Sequence, residues 1–450
     1  MATFDVQEFI DRRGLSWFQV QVFALCGLIV FIDGFDTQAI GYVAPAIVKS
    51  WHVDRAALTS VFSAGLFGLM LGALSFGPIA DRFGRKPVLV LCALFFGLMS
   101  LLTPTADSVR SLAALRFLTG LGLGGAMPNA IALTTEYASK RIRATAVMIM
   151  FCGFSLGAAF GGLAAASLIS RFGWKSVFVL GGVVPCLLFP LLVAAVPESI
   201  RYLVVQGGRG AKVAAILRRI DRAVAIPDGA TFTVEEHKAK GFLVRQLFAQ
   251  GRAPFTLLIW VVFFMSLLDL YFITNWLPTI IHDSGIPLDR AALITAGYQW
   301  GGTIGTLLLG RLFDRFSPFF MLALTYLAAS GFVLLIGTAG VSLTALAITV
   351  FGAGFCVVGG QTGANALTAS AYPTPIRSTG VGWALGIGRI GSIVGPAIGG
   401  LLLSLHWPTR QIFIVAAIPV LIASAAALCI SFLRRAPEGE RALQTGASVP

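Results

Sequence analysis

GPIADRFGRKP (Gly77–Pro87) returns in shortened form as GRLFDRFSP (Gly310–Pro318), 233 residues further along the chain. A second pair has nearly the same offset: NAIALTTEYASKRIRAT (Asn129–Thr145) is echoed by NALTASAYPTPIRST (Asn365–Thr379). The first pair follows the second and eighth apolar runs, and the other pair ends the fourth and tenth. Two unrelated matches at equivalent places imply that an ancestral half was duplicated. Parallel six-helix repeats of this kind carry a substrate site at their interface near the bilayer midplane.

The rest of the chain agrees with twelve membrane spans. Its 450 residues are 57% hydrophobic and 12% charged, against about a quarter charged in a soluble domain. A hydrocarbon core about 30 Å thick needs about 20 apolar residues per helix. The long runs here are unbroken rather than alternating, which predicts helices and excludes a β-barrel. Pro, Gly and charged clusters divide them into helices at about 17–47, 57–80, 87–106, 110–137, 144–170 and 174–197, then 254–281, 290–312, 318–338, 341–371, 378–404 and 409–433. The expected fold is therefore an all-α polytopic membrane protein of two six-helix bundles, 17–197 and 254–433. They are flanked by tails at 1–16 and 434–450 and joined by a linker at 198–253. Within that linker, Ala211–Arg222 reads as an amphipathic helix lying on the membrane surface.

The net charge of +13 suggests nucleic acid until its placement is considered. Of 33 Lys and Arg, 24 fall in the two tails and the even-to-odd loops, 7 in the opposite loops and 2 inside helices. That is the positive-inside pattern, which places both termini in the cytoplasm and removes nucleic acid as a partner. Asp11, Arg12 and Arg13 precede a first segment too long for a signal peptide. The six cysteines stand singly in apolar helices, far from any histidine, so neither disulfide nor metal chemistry is expected. No nucleophile–base pair or cofactor loop emerges, and an enzyme is not expected.

The chemistry should reside in the few charges the membrane tolerates. One at mid-span costs about 2.5–3.5 kcal/mol on insertion scales, so such groups face a polar cavity or one another. Asp33 and Asp36 share one face of the first span, and carboxylates this close are expected to titrate as a unit. Arg116 in the fourth span lies at a similar depth to Asp36, as a coupling residue or a structural partner. Asp269 is the remaining deep acid. Arg389, among small residues of span eleven, must be paired or face water. It suits capture of a substrate carboxylate, with a permanent bridge to Asp269 as the alternative. Tyr271, Asn275, Gln299, Trp300, Gln361, Asn365 and Trp383 complete a candidate cavity, any one of which could instead be packing. As a set, aromatic faces with amides and a guanidinium suit a planar organic acid better than a sugar.

The loop GPIADRFGRKP is a tight turn in which Asp81 can accept hydrogen bonds or cap a helix, while Arg82 and Arg85 can pair with carboxylates or lipid phosphates. It resembles the signature loop between helices 2 and 3 of the major facilitator superfamily, which implies a conformational latch. The second copy, with Asp314 and Arg315, lacks the following Gly-Arg-Lys, so its latch should be weaker or different. RFLTGLGLGGAMPNA (Arg116–Ala130) has no preceding strand to make it a phosphate loop; its glycines favour close helix packing. Its arginine resembles one implicated in proton coupling in that superfamily. Glu136, close to Lys140, Arg141 and Arg143, reads as an interfacial ion-pair residue. Glu198 lies in PESIRYL (Pro197–Leu203), which resembles the sequence after helix 6 in sugar porters but does not identify sugar.

DGFDTQAIGYVAP (Asp33–Pro45), GLGLGGAMPNAIALTTEY (Gly120–Tyr137), WLPTII (Trp276–Ile281) and STGVGWALGIGRIGSIVGP (Ser378–Pro396) together resemble the aromatic acid:proton symporter family across nearly the whole membrane domain. The resemblance implies import of benzoate-type acids with protons across a bacterial cytoplasmic membrane, no cofactor, and functional positions at Asp33, Asp36, Asp81, Arg85, Asp314, Arg315 and Arg389. Transport of a non-aromatic acid such as muconate, a sugar-type porter and a non-transporting receptor remain alternatives. Nothing in the chain demands more than a monomer.

Overall fold

The computed structural model describes residues 3–445 except 208, 225, 227–230, 234–242 and 373–375. Six membrane-length helices come first: α1 (Trp17–Trp51), α2 (Thr59–Phe83), α3 (Arg85–Leu102), α4 (Val109–Tyr137), α5 (Arg143–Phe172) and α6 (Lys175–Ala195). Six more follow: α7 (Ala253–Asp283), α8 (Leu288–Arg315), α9 (Pro318–Ile336), α10 (Leu343–Ala371), α11 (Arg377–Ser404) and α12 (Thr409–Thr445). Among the described residues, eleven are apolar enough to span by composition alone. The twelfth is α8, whose 28 residues reach about 42 Å but carry Thr295, Gln299, Thr303 and Thr306 along their length. Helix α12 runs twelve residues past the expected end at 433, through RRAPEGERALQT.

Contacts divide the chain into two compact units, Met1–Ile47 with Ser60–Lys238, and Val48–Thr59 with Ala239–Pro450. Each is built on the same principle. In the first unit a Cβ on Gly34 would collide with the carbonyl oxygen of Phe154, and one on Gly157 with that of Phe31, so α1 and α5 cross backbone to backbone. Gly120 and Gly124 bring α4 equally close to α2. In the second unit Gly391 and Gly395 seat α11 on α7, while Gly301, Gly305 and Gly354 join α8 to α10. In a solvent as apolar as the side chains themselves, close van der Waals contact is what associates helices, and small residues permit it. Leu74, Leu91, Leu187, Leu307 and Ile348 are exposed, a liability in water and the expected surface in lipid.

Gly34 sits between the two acids of DGFD, so its contact sets how they are presented. Gly34→Ala should cost about 1–3 kcal/mol through forced separation of α1 and α5. A lowered thermal midpoint of the detergent-purified variant checks this; an unchanged midpoint would mean the crossing is soft.

The amphipathic helix of the linker forms at Gly210–Ile220, but not against lipid. Its apolar face, Val213, Ile216, Leu217 and Ile220, joins one buried cluster with Val6, Ile10, Phe18 and Tyr137. The N-terminal segment is likewise more than a tail. Thr3–Asp5 pairs in parallel with Thr231–Thr233, Arg13 bonds Asp221 at 3.0 Å, and Arg219 lies 4.1 Å over the Phe18 ring. A protein surface was available to cover that apolar stripe, which the hydrophobic pattern alone could not distinguish from a membrane.

Candidate functional site

In the first unit, Asp33, Asp36 and Arg116 are 1%, 0% and 3% exposed. Arg116 Nη1 donates to Asp36 Oδ2 at 2.9 Å and its Nη2 to the Asp36 carbonyl at 3.0 Å. Ser100 Oγ donates to Asp36 Oδ1 at 2.7 Å, and the Arg116 guanidinium lies 5.5 Å from the Phe178 ring centroid. Asp33 accepts instead from Thr37 Oγ1 at 3.0 Å. The two aspartates of the first span therefore meet different partners. Arg116 and Ser100 pair with and solvate Asp36, while Asp33 is bonded to Thr37 of its own helix. Gly181 leaves room for this arrangement, since a Cβ there would stand 3.4 Å from Asp36 Oδ1 and 3.3 Å from Ser100 Oγ. Ser100 and Phe178 were missed in the sequence. A lone serine in the apolar run LMSLL was the available signal.

The loop between α2 and α3 is organised around Glu198. Gly84, at φ 105°, adopts a conformation that favours glycine and ends α2. Glu198 Oε1 then accepts from the first backbone amides of α3, Arg85 N at 2.8 Å and Lys86 N at 3.0 Å. A carboxylate on exposed amides at a helix start is favoured by the helix dipole. Arg85 pairs with Glu136, whose Oε2 accepts from Ser199 Oγ at 2.6 Å, while Asp81 stands 3.7 Å from Arg85 and is largely exposed. Thus within this unit Glu198, rather than Asp81, serves as the helix cap, and Glu136 takes Arg85 rather than Lys140, Arg141 or Arg143 as its ion partner. Arg82 is exposed and lies over Phe83. Arg315 is exposed, and the side chain of Asp314 lies outside the described residues.

Removing the cap by Glu198→Ala should speed amide exchange at Arg85 and Lys86 about tenfold, the loss of about 1–1.5 kcal/mol of capping free energy. Hydrogen exchange read by mass spectrometry measures it, and unchanged protection would show that the carboxylate does not hold the helix start.

In the second unit, Arg389 Nη1 donates to the Tyr271 hydroxyl at 3.2 Å, and no carboxylate pairs with it among the described residues. The alternative bridge to Asp269 is absent for a geometric reason. Positions 269 and 271 are about 200° apart around α7, so a partner of one faces away from the other. Asn275 is buried and donates to the Tyr271 carbonyl at 2.7 Å. Gln361 accepts from Ser266 Oγ and donates to Asn365 Oδ1 at 3.3 Å, uniting the two amides on one face of α10. Gln299 is buried and Trp300 half-buried on α8. Trp383 lies on α11 with an aromatic neighbour from α7. It is 43% exposed and stacks on Trp260, with centroids 5.7 Å apart and planes at 20°. Six residues separate it from Arg389, which turns it about 120° around α11.

The Major Facilitator Superfamily profile matches residues 26–288 and 259–449, between them most of the chain. Across 97% of both chains, the sequence is 43% identical to the 4-hydroxybenzoate transporter PcaK of Pseudomonas aeruginosa. The chain belongs to the aromatic-acid transporters of the Major Facilitator Superfamily. It is also 41% identical to a gallate transporter of Pseudomonas putida over 95% of both. Its fold matches a solved bacterial homolog of the human lysosomal transporter Spinster, inward-facing and occupied, with a TM-score of 0.69 at 18% identity, covering 93% of this chain and 98% of that one. It is a multi-pass bacterial inner-membrane transporter and not an enzyme.

Proposed function

We propose that the protein imports benzoate-type aromatic carboxylates together with protons by alternating access, with both termini in the cytoplasm. The observation that carries the reading is Arg389: a half-buried guanidinium bonded to a phenol and to no carboxylate among the described residues. An unpaired cation in a membrane span is costly, so an anionic ligand is its natural complement. A benzoate-type carboxylate offers two oxygens to the planar donors. Tyr271 holds the guanidinium in place, and Gln361, Asn365, Gln299 and Trp300 supply amides and an aromatic face for a hydroxylated ring. Relatives named as transporters of 4-hydroxybenzoate and of gallate support the substrate class.

Proton coupling follows from the first unit. Asp36 is paired with Arg116 in the arrangement described above, and Asp33 serves as the primary acid to gain and lose a proton. A lone anion entering an inside-negative cell is opposed by about 2.3 kcal/mol per 100 mV, and one proton cancels that term. The Arg85, Glu136, Glu198 and Asp81 network would steady the cytoplasmic loop between transport states. The excess of Lys and Arg on the side of the tails supports the cytoplasmic assignment of the termini.

Uptake of radiolabelled 4-hydroxybenzoate into proteoliposomes is expected to follow an imposed pH gradient, alkaline inside, and to be blocked by other benzoates but not by hexoses. Asp33→Asn should retain exchange of internal for external substrate while gradient-driven accumulation falls. Saturable binding with no accumulation by the parent protein would make it a receptor.

A further inference from the structure

The transport reading leaves one buried acid unused. Asp269, in the middle of α7, is 0% exposed, and neither carboxylate oxygen has a hydrogen-bond partner. No lysine, arginine or histidine pairs with it among the described residues. The groups around it are hydroxyls and a thiol. Tyr298 of α8 and Tyr326 of α9 are close enough to feel its charge, and Cys356 of α10 adjoins Tyr298. The Tyr298 hydroxyl is buried without a hydrogen-bond partner, and that of Tyr326 faces Ser266. Arg389, the cation on the neighbouring α11, is turned to Tyr271.

A carboxylate buried with no cation beside it is costly to keep charged. Even as the neutral acid it is poorly placed, with donor and acceptor unsatisfied and no structural bond to make. A residue that braced the scaffold would be expected to bond something. Ser266, one turn earlier on α7, donates to Gln361, which donates to the half-exposed Asn365. A buried acid with hydroxyls and a hydrogen-bonded polar chain close by on the same helix has the parts of a proton-binding site.

We propose that Asp269 is a second proton-binding site, carried by the second unit, and that two protons accompany each substrate anion. The proposal rests on the transport reading above. The carboxylate takes up one proton on the side from which substrate enters, crosses as the uncharged acid, and returns that proton to water on the other side. Asp33 carries the other. The cycle then moves one net positive charge inward, so membrane potential as well as the pH gradient drives accumulation.

The test compares parent and Asp269→Asn, which mimics the neutral acid in shape, in proteoliposomes loaded for a potassium diffusion potential. In the parent, a potential of about 100 mV, inside negative, is expected to raise steady-state accumulation of 4-hydroxybenzoate about 50-fold at a fixed pH gradient. In Asp269→Asn that response should vanish while accumulation driven by the pH gradient persists. Parent uptake indifferent to potential, or a variant with the parent's response, overturns the proposal. A second measurement needs neither transport nor the variant's survival in liposomes. Infrared difference spectra of the detergent-purified parent, titrated across pH with and without 4-hydroxybenzoate, should contain a carbonyl band of a neutral carboxylic acid that shifts on ligand binding. That band should persist in Asp33→Asn and be missing from Asp269→Asn. A band unmoved by ligand, or one unaffected by Asp269→Asn, makes Asp269 a static acid and also overturns the proposal. Failure of the parent to accumulate under any gradient, with the band intact, would instead reject the transport reading.

Discussion

Arg389→Ala binds 4-hydroxybenzoate about a hundredfold more weakly than the parent, as measured by titration calorimetry on purified protein. The expectation comes from the Arg389–Tyr271 contact and the lack of a competing carboxylate among the described residues. A hydrogen bond to a charged group contributes about 1.5–3 kcal/mol, and truncation removes a bidentate pair at one stroke. Arg389→Lys separates charge from geometry. A lysine retains attraction to the anion as a point charge but loses the planar fork, so its affinity should fall between parent and alanine. Tyr271→Phe should weaken binding less than either, because it frees the guanidinium without removing it. If Arg389→Ala binds as tightly as the parent, the anion is held elsewhere and the site must be redrawn.

The second large effect concerns the pair at the heart of the first unit. Arg116→Ala leaves Asp36 buried with only Ser100 as a partner, a loss of about 3–5 kcal/mol because an uncompensated charge remains. Thermal stability in detergent should fall sharply. Asp36→Asn in the same background removes that charge and should restore most of the stability, since paired charges can be exchanged for neutral groups at little net cost. The double variant should nonetheless fail to accumulate substrate against a pH gradient. Stability recovered together with full gradient-driven transport would reduce the pair to a structural bridge and remove it from proton coupling. The rescue is the informative step, because a single Arg116 variant that fails could fail for either reason.

These two sites show unequal legibility in the chain. The intramembrane charges could be named from hydropathy alone, because few residues are costlier to place there than Asp33, Asp36, Arg116, Asp269 and Arg389. Their partners could not. Whether Arg389 met Asp269 or Tyr271 depended on which side of α7 each residue faces and on how α11 crosses it. Ser100 holds Asp36 across 64 positions of sequence, and only the packing of α1 against α3 joins them. Trp383 shares a segment with Arg389 but points about 120° away, into a stack with Trp260. Glu198 lies 113 positions from the amide it caps, in a motif that sequence alone associated with sugar porters.

Membrane insertion, the duplicated halves and the approximate limits of twelve helices were written in the one-dimensional pattern. Lipid admits only backbone that satisfies itself, so twenty apolar residues leave almost no choice but helix. Which acid is paired and which stands alone was decided in three dimensions. Hydrogen bonds and ion pairs reach only a few ångströms, and crossings set by glycines such as Gly34 determine which side chains come within that reach. Charge told where chemistry was affordable; helix packing chose what each charge would do.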